Sequence, residues 1–308
     1  MNRRHFLNAL AHLGGSLYLN PSFMNPLIDP WPSRSYHCAN GIRIHALATG
    51  SVRVKKTHRQ PSALGMAAIL FDPRWTNALP VHCWLIEHPE GLILIDTGES
   101  ARFHEKDHLA CDPGAGWVNQ SILRFELSRE QEIDQQLSRL GFCAEDVRWV
   151  VLTHLHIDHV DGLPYFPQAE ILVSQTEYQN PYGAVLCHLP SWFKPRLIRA
   201  ERSHPHFAGA YYITAAEDVL LVPTPGHSYG HQSVILRSPQ LDFCFAGDAS
   251  FSEEQLRQEK VAGICADKKA ARQSYTQLKA YCRERPVVYL PSHDPQSAER
   301  LASGTVYT

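Results

Sequence analysis

The chain has 308 residues, 44% of them hydrophobic and 19% charged, with a formal net charge of −2. This is enough chain for one large domain or two small ones, and the charge balance argues against nucleic-acid binding, since the short run RVKKTHR at 53–59 reads as a solvated loop or turn. No stretch approaches the roughly 20 apolar residues of a membrane span, and the eight cysteines include no CxxC pair, so no thiolate zinc site or redox dithiol is indicated and no disulfide is required.

At the N-terminus, NRRHFLNAL sets two arginines ahead of an apolar stretch, in the manner of a twin-arginine export signal. ALAHLGGSLYL is a weak apolar core containing His12, and no small-x-small cleavage site follows. The segment therefore reads as a leader or as a plain extension, and the protein as periplasmic or cytoplasmic accordingly. Pro21, Pro26, Pro30 and Pro32 mark residues 20–34 as a linker. Residues 1–36 are set aside, leaving 37–308 as one domain.

Beyond the linker, LPVHCWLIEH and GLILIDTG, separated by PEG, read as two strands joined by a tight turn. SREQEIDQQLSRLG reads as one helix. Ser128 and Gln131 have capping-box spacing, Ile133, Leu137 and Leu140 share a face, and Gly141 stands at the stop. VRWVVLT, EILVS, DVLLVPTPG, SVILRS, LDFCFAGD and PVVYLPSH are further strands. KKAARQSYTQLKAYCRER is a second helix, with Ala271, Tyr275, Leu278 and Cys282 on one face. Many strands with interspersed helices predict an α/β (α+β) chain of stacked sheets covered by helices.

The run THLHIDHVDG crowds His154, His156, Asp158 and His159 into six positions at the end of a buried strand. Asp96 follows LILI, His227 follows LLVPTPG, Asp248 follows FCFAG and His293 follows VVYLPS. Strand termini at one edge of a sandwich can converge, but carboxylates and imidazoles gathered there are costly unless paired or bound to a cation. Five histidines and two aspartates suit two borderline metal ions. Taken singly, His227 or His293 would read as an ordinary hydrogen-bonded histidine, and Asp96 or Asp248 as the close of a turn. The H-x-H-x-D-H cluster has no such packing explanation, and it carries the others with it.

With ILIDTGE upstream, the motifs THLHIDHVDG, PTPGHSYGH, FAGDAS and LPSHD resemble, in order, the metallo-β-lactamase fold superfamily over roughly residues 42–308. The resemblance implies a four-layer αββα sandwich with metals at one edge of the paired sheets. It implies that His154, His156 and His227 bind one cation, that Asp158, His159 and His293 bind a second, and that Asp248 bridges both. Asp96 takes the place of an aspartate that orients ligands without binding metal, and His231 a structural place in its turn. The expected cofactors are two divalent ions, zinc by default, with iron, cobalt or manganese also suited to nitrogen and oxygen donors.

LPVHCWLIEHPEGLILIDTG, TPGHSYGHQSV and the tail from GDASFSEEQ through RERPVVYLPSHD are most similar to the N-acyl homoserine lactonase branch. That resemblance implies a small-molecule lactone substrate, opened by a hydroxide shared between the cations, with Asp158 returning a proton to the leaving alkoxide. The branch usually has a tyrosine three residues after the bridging aspartate, where this chain has Phe251. Either the hydroxyl contact is supplied otherwise or the preferred ester differs. Phe251 is a candidate substrate contact, and Trp192 and Phe193 in YGAVLCHLPSWFKPRL are candidate walls for an acyl chain, or else ordinary packing on the sandwich. A homodimer stays open. So do two other functions: hydrolysis of another lactone, ester or thioester on the same site, and metal binding without catalysis.

Overall fold

The computed structural model describes residues 31–60, 64–105 and 107–308; the twin-arginine-like run lies outside them. Two sheets carry the described fold. The first contains β1 (Arg34–His37), β2 (Arg43–Val54), β3 (Leu79–His88), β4 (Gly91–Ile95), β5 (Leu123–Glu126), β6 (Val147–Val151), β7 (Glu170–Ser174) and β8 (Arg196–Ile198). They run in the order β1-β2-β3-β4-β6-β7-β8, with β5 paired to the far end of β2. The second contains β9 (Tyr211–Tyr212), β10 (Val219–Pro223), β11 (Gln232–Leu236), β12 (Asp242–Gly247) and β13 (Val287–Pro291), in the order β13-β12-β11-β10-β9. β1 begins at Arg34, so the sheet starts inside the segment set aside as extension or linker.

The helices are α1 (Lys56–Arg59), α2 (Gly65–Phe71), α3 (Pro113–Ile122), α4 (Ile133–Arg139), α5 (Ile157–Val160), α6 (Gln175–Gln179), α7 (Glu253–Arg257), α8 (Lys268–Glu284) and α9 (Ser297–Ser303). Alternation along the strands builds the layers. On β11, Val234 and Leu236 meet Trp84, Ile86 and Ile93 of the first sheet in the central core. Ile235 points the other way, into a core with Tyr275, Leu278 and Tyr281 of α8. On the first sheet's outer face, Leu85, Leu94 and Val150 pack on Ile133 and Leu137 of α4 and on Val160. This is the αββα sandwich the sequence predicted.

One predicted helix is shorter than expected. Residues 129–131 form a single 3-10 turn with the Ser128–Gln131 capping box, and α4 starts only at Ile133, because Glu132 is extended at φ −63°, ψ 156°. Its carboxylate is taken by the Ala101 N–H at 3.0 Å and by the Tyr165 hydroxyl, which fixes the backbone outside the helix. RVKKTHR is not a solvated loop either. It closes β2 and forms α1, with Val54, Lys55 and His58 buried while Arg53 and Lys56 face outward.

Strand direction places the site. β4 and β6 are parallel. β10 is antiparallel to β11, which is antiparallel to β12, and β12 is parallel to β13. The C-terminal ends of β4 and β6 therefore share one rim of the first sheet, and those of β10, β12 and β13 one rim of the second. Gln232 closes the gap between the rims, its N–H donating to Thr153 O at 3.0 Å and its side-chain amide to Leu152 O at 2.9 Å.

Candidate metal centre

The loop from Thr153 brings His154 and His156 to the rim and α5 brings Asp158 and His159, and the loops after β10, β12 and β13 bring His227, Asp248 and His293 to the same point. Ligand atoms of His154, His156 and His227 lie within 4.8 Å of one another, as do those of Asp158, His159 and His293, and those of His154, His159 and Asp248. Asp248 faces both groups: Oδ2 is 3.4 Å from His227 Nε2, and Oδ1 is 3.5 Å from His159 Nε2 and 3.3 Å from His293 Nε2. Asp158 Oδ2 lies 3.3 Å from His293 Nε2.

Three of the imidazoles are held by their outer nitrogens, which leaves the inner ones facing the cluster. His159 Nδ1 donates to Asp96 Oδ2 at 2.8 Å, His293 Nδ1 to Pro80 O at 2.9 Å, and His156 Nε2 to Tyr182 O at 2.8 Å. Such outer partners fix tautomer and ring orientation in metal sites. His154 Nε2, His159 Nε2 and Asp248 Oδ1 are fully buried with no hydrogen-bond partner among the described residues. Buried polar atoms are rarely left so, and nitrogen and oxygen ligand atoms converging at these distances fit a divalent cation. Burial, reinforced by neighbouring histidines, drives His154 well below the ordinary imidazole range, and burial does the same to His227, leaving both neutral as ligation requires.

Local geometry explains why glycine and aspartate recur at these strand ends. Gly247 has φ +52°, and a Cβ there would lie 2.8 Å from both His231 Nε2 and Thr153 Cβ, so only glycine lets β12 swing Asp248 inward. Asp96 itself sits at φ 59°, a strained conformation for a residue with a side chain. Its carboxylate holds it there, Oδ1 accepting from Thr153 N at 2.7 Å and Oδ2 from Thr153 Oγ1 at 2.9 Å and from His159. In Asp96→Asn one of those donors would face an amide N–H. Metal affinity should then fall about 10- to 100-fold, measured by competition with a chromogenic chelator; affinity within twofold of wild type would rule this role out.

His231 is engaged at both nitrogens, Nδ1 with Thr224 Oγ1 at 2.9 Å and Nε2 accepting the Asp248 N–H at 3.0 Å. It steadies the Asp248 backbone and has no lone pair left for a cation. Above the cluster lies a cavity of about 90 Å³ whose walls include Val52, Met66, Val118, Ile122, Phe251 and Ile264. Phe251 lines this cavity, stacked on His293 with ring centroids 5.5 Å apart. Trp192 and Phe193 are not among the lining residues. They pack against the outer core of the first sheet, with Phe166 and Leu163, because their loop crosses that face of the sandwich and not the rim.

Three features gave no usable sequence signal. Glu177, fully buried, accepts from Leu155 N at 3.1 Å with one oxygen and from Ser228 Oγ at 2.6 Å and Gly230 N at 3.0 Å with the other. It ties the histidine-cluster loop to the His227 loop, yet in SQTEYQ it reads as surface. His58 was masked by its basic neighbours; it lines the cavity, and burial lowers its pKa to about 3. Cys111 and Cys187 form a disulfide across 76 residues of sequence, and spacing alone could not pair them. Beside it, Asp161 accepts from His108 Nε2 at 2.9 Å and from His188 Nε2 at 2.6 Å. Bond and carboxylate together clamp the start of α3, a wall of the cavity, to the loop whose Tyr182 carbonyl holds His156. Replacing both cysteines by serine should cost about 2–4 kcal/mol, lowering Tm by roughly 5–15 °C at 2–4 °C per kcal/mol. An unchanged melting curve would show that the clamp contributes nothing.

The family model of the metallo-beta-lactamase superfamily matches residues 76–293. An N-acyl homoserine lactonase, AttM, of Agrobacterium fabrum is 26% identical over 268 residues, covering 83% of this chain and 94% of its own. An N-acyl homoserine lactonase of Bacillus thuringiensis is 31% identical over 219 residues, 70% of this chain and 82% of its own. Among solved structures, an N-acyl homoserine lactone hydrolase with N-hexanoyl-L-homoserine at its catalytic metal centre superposes with a TM-score of 0.64 at 25% identity, over 82% of this chain and 92% of that one. Sandwich, ligand rim and these matches agree: the chain is a metal-dependent hydrolase and belongs to the metallo-beta-lactamase superfamily.

Proposed function

We propose that the protein opens the ring of N-acyl homoserine lactones, releasing the N-acyl homoserine. His154, His156 and His227 would hold one divalent cation and Asp158, His159 and His293 another, with Asp248 facing both. Zinc suits this imidazole and carboxylate set, and iron, cobalt or manganese also satisfy it. When bound, such a pair supplies hydroxide from water near neutral pH and Lewis-acid polarisation of the ester carbonyl. The chain's own groups do the rest. Asp158, in the cavity floor, takes the proton released as water attacks and returns it to the alkoxide oxygen as the ring C–O bond breaks. Val52, Met66, Val118 and Ile122 keep bulk water from the carbonyl and give an acyl chain an apolar surface.

The observation that carries the reading is the divergence of the two Asp248 oxygens, one toward His227 and one toward His159 and His293. The substrate class is supported by relatives that bear the lactonase name over most of their length. The test pairs a metal count with a pH-indicator assay on N-hexanoyl and N-decanoyl homoserine lactones. The reading expects two ions per chain and one acid released per ring opened; metal-replete protein that leaves both lactones intact would overturn it. Hydrolysis of another lactone, ester or thioester on the same site draws support from Phe251, which lines the cavity without a hydroxyl.

A further inference from the structure

Outside the ligand cluster, the cavity lining contains two polar side chains, His58 and Asn119. Asn119 is committed to its own helix, its amide donating to Ala115 O at 2.9 Å. His58 is different. It is buried on α1, and its Nδ1 has no hydrogen-bond partner among the described residues. Burying an imidazole nitrogen without a partner is costly, and in a cavity wall the missing partner is most simply a bound molecule.

The ring is also held in place. α1 is fixed by Ile264 N donating to His58 O at 3.0 Å and by Thr57 N donating to Asp72 Oδ2 at 3.0 Å. Gln255 locks α1 to the loop after β12: its side-chain amide donates to Arg59 O at 3.0 Å and its Oε1 accepts from Phe251 N at 2.7 Å. His58 therefore meets Phe251 edge to face, centroids 5.8 Å apart, and Phe251 in turn stacks on His293. A rigid, uncommitted imidazole stands over the rim, one aromatic ring away from a ligand residue.

We propose that His58 is a substrate-contacting residue, its imidazole hydrogen-bonding the ester oxygen of a substrate seated beside Phe251 in the cavity above the ligand cluster. The inference rests on the lactonase reading above. A preorganised donor aimed at the oxygen on which charge develops acts in the transition state more than in the ground state. His58 should therefore govern kcat more than KM.

The experiment compares wild type, His58→Phe, which keeps the ring and removes both nitrogens, and His58→Gln, which restores a donor. On N-hexanoyl homoserine lactone, with metal content and Tm matched to wild type, His58→Phe should lower kcat about 10- to 100-fold and leave KM within about threefold. His58→Gln should recover part of the loss. Adding Phe251→Tyr to His58→Phe should recover part of it too, since a hydroxyl then enters the same space. Equal kcat for wild type and His58→Phe overturns the role of His58 while leaving the lactonase reading intact. A loss that neither His58→Gln nor Phe251→Tyr relieves marks a steric effect and also overturns it. Metal-loaded wild type that opens no lactone overturns the lactonase reading, and this inference with it.

Discussion

Asp248→Ala is expected to lower kcat/KM for lactone opening by about 10³-fold or more, with the bound metal falling below wild-type stoichiometry. The magnitude follows from the electrostatic assistance at stake, several kcal/mol for Lewis-acid and hydroxide chemistry together, at about 1.4 kcal/mol per decade of rate. Asp248 is where that assistance is assembled, because its carboxylate is the group within reach of both halves of the cluster, 3.4 Å from His227 on one side and 3.3–3.5 Å from His293 and His159 on the other. The substitution is also clean. The loop is held by the Asp248 N–H on His231 and by the tight approach of Gly247, and neither needs the side chain. The loop should therefore keep its path, while the metal-free variant should melt below the metal-free wild type, because Asp248 no longer offsets the charge on His293 and His159. Asp248→Asn, which keeps the shape and one acceptor oxygen, should fall between the two. The measurements are metal content by emission spectroscopy and initial rates of acid release. Asp248→Ala turning over within tenfold of wild type, at full metal content, would remove the bridging role and the mechanism built on it.

What could be read from the sequence was what short range dictates. The ends of β4, β6, β10, β12 and β13 are apolar runs followed within a few residues by an aspartate or histidine, with Gly or Pro at the stop in β10, β12 and β13, and the parallel pairing of β4 with β6 and of β12 with β13 turns that one-dimensional pattern into a shared rim. The helical period of α8 and its buried face were equally plain. Partners distant in sequence were not. Glu177 is an unremarkable polar residue until the fold sets it between Leu155 and Gly230, and nothing in the spacing pairs Cys111 with Cys187. His58 sits in a run whose charge suggests solvent, although Val52 and Val54 alternate with Arg53 as a half-buried strand would. Trp192 and Phe193 show the opposite case, where the sequence left a substrate wall and ordinary packing both open. Aromatic residues bury well against any apolar face, and which face depends on the loop's path.

Removing the metal should cost both activity and stability. Stripped with a strong chelator, the protein is expected to lose turnover completely, lower its Tm by on the order of 10 °C, and recover both when a divalent cation is restored. An ion present at 100 times its Kd stabilises the folded state by about 2.7 kcal/mol, and a chain of this size shifts roughly 2–4 °C per kcal/mol, so the proposed pair of ions would bring the total to that range. The cluster also sets how recovery depends on pH. Against burial, which pushes the other way, Asp248 and Asp158 raise His293 to about 10, and Asp96 and Asp158 raise His159 well above the ordinary imidazole range. In the metal-free protein both rings therefore carry protons at pH 7, and a cation must displace them to reach the nitrogens. Protons released on binding make affinity rise with pH, by about tenfold per unit for each proton displaced. Reconstitution at pH 8 should thus reach full activity at a free metal concentration far below that needed at pH 6. His154 and His227, already neutral, add nothing to the slope. Metal affinity independent of pH across that interval would mean that His159 and His293 are not displaced ligands, and a Tm indifferent to chelation would mean that the rim holds its charges together without a cation.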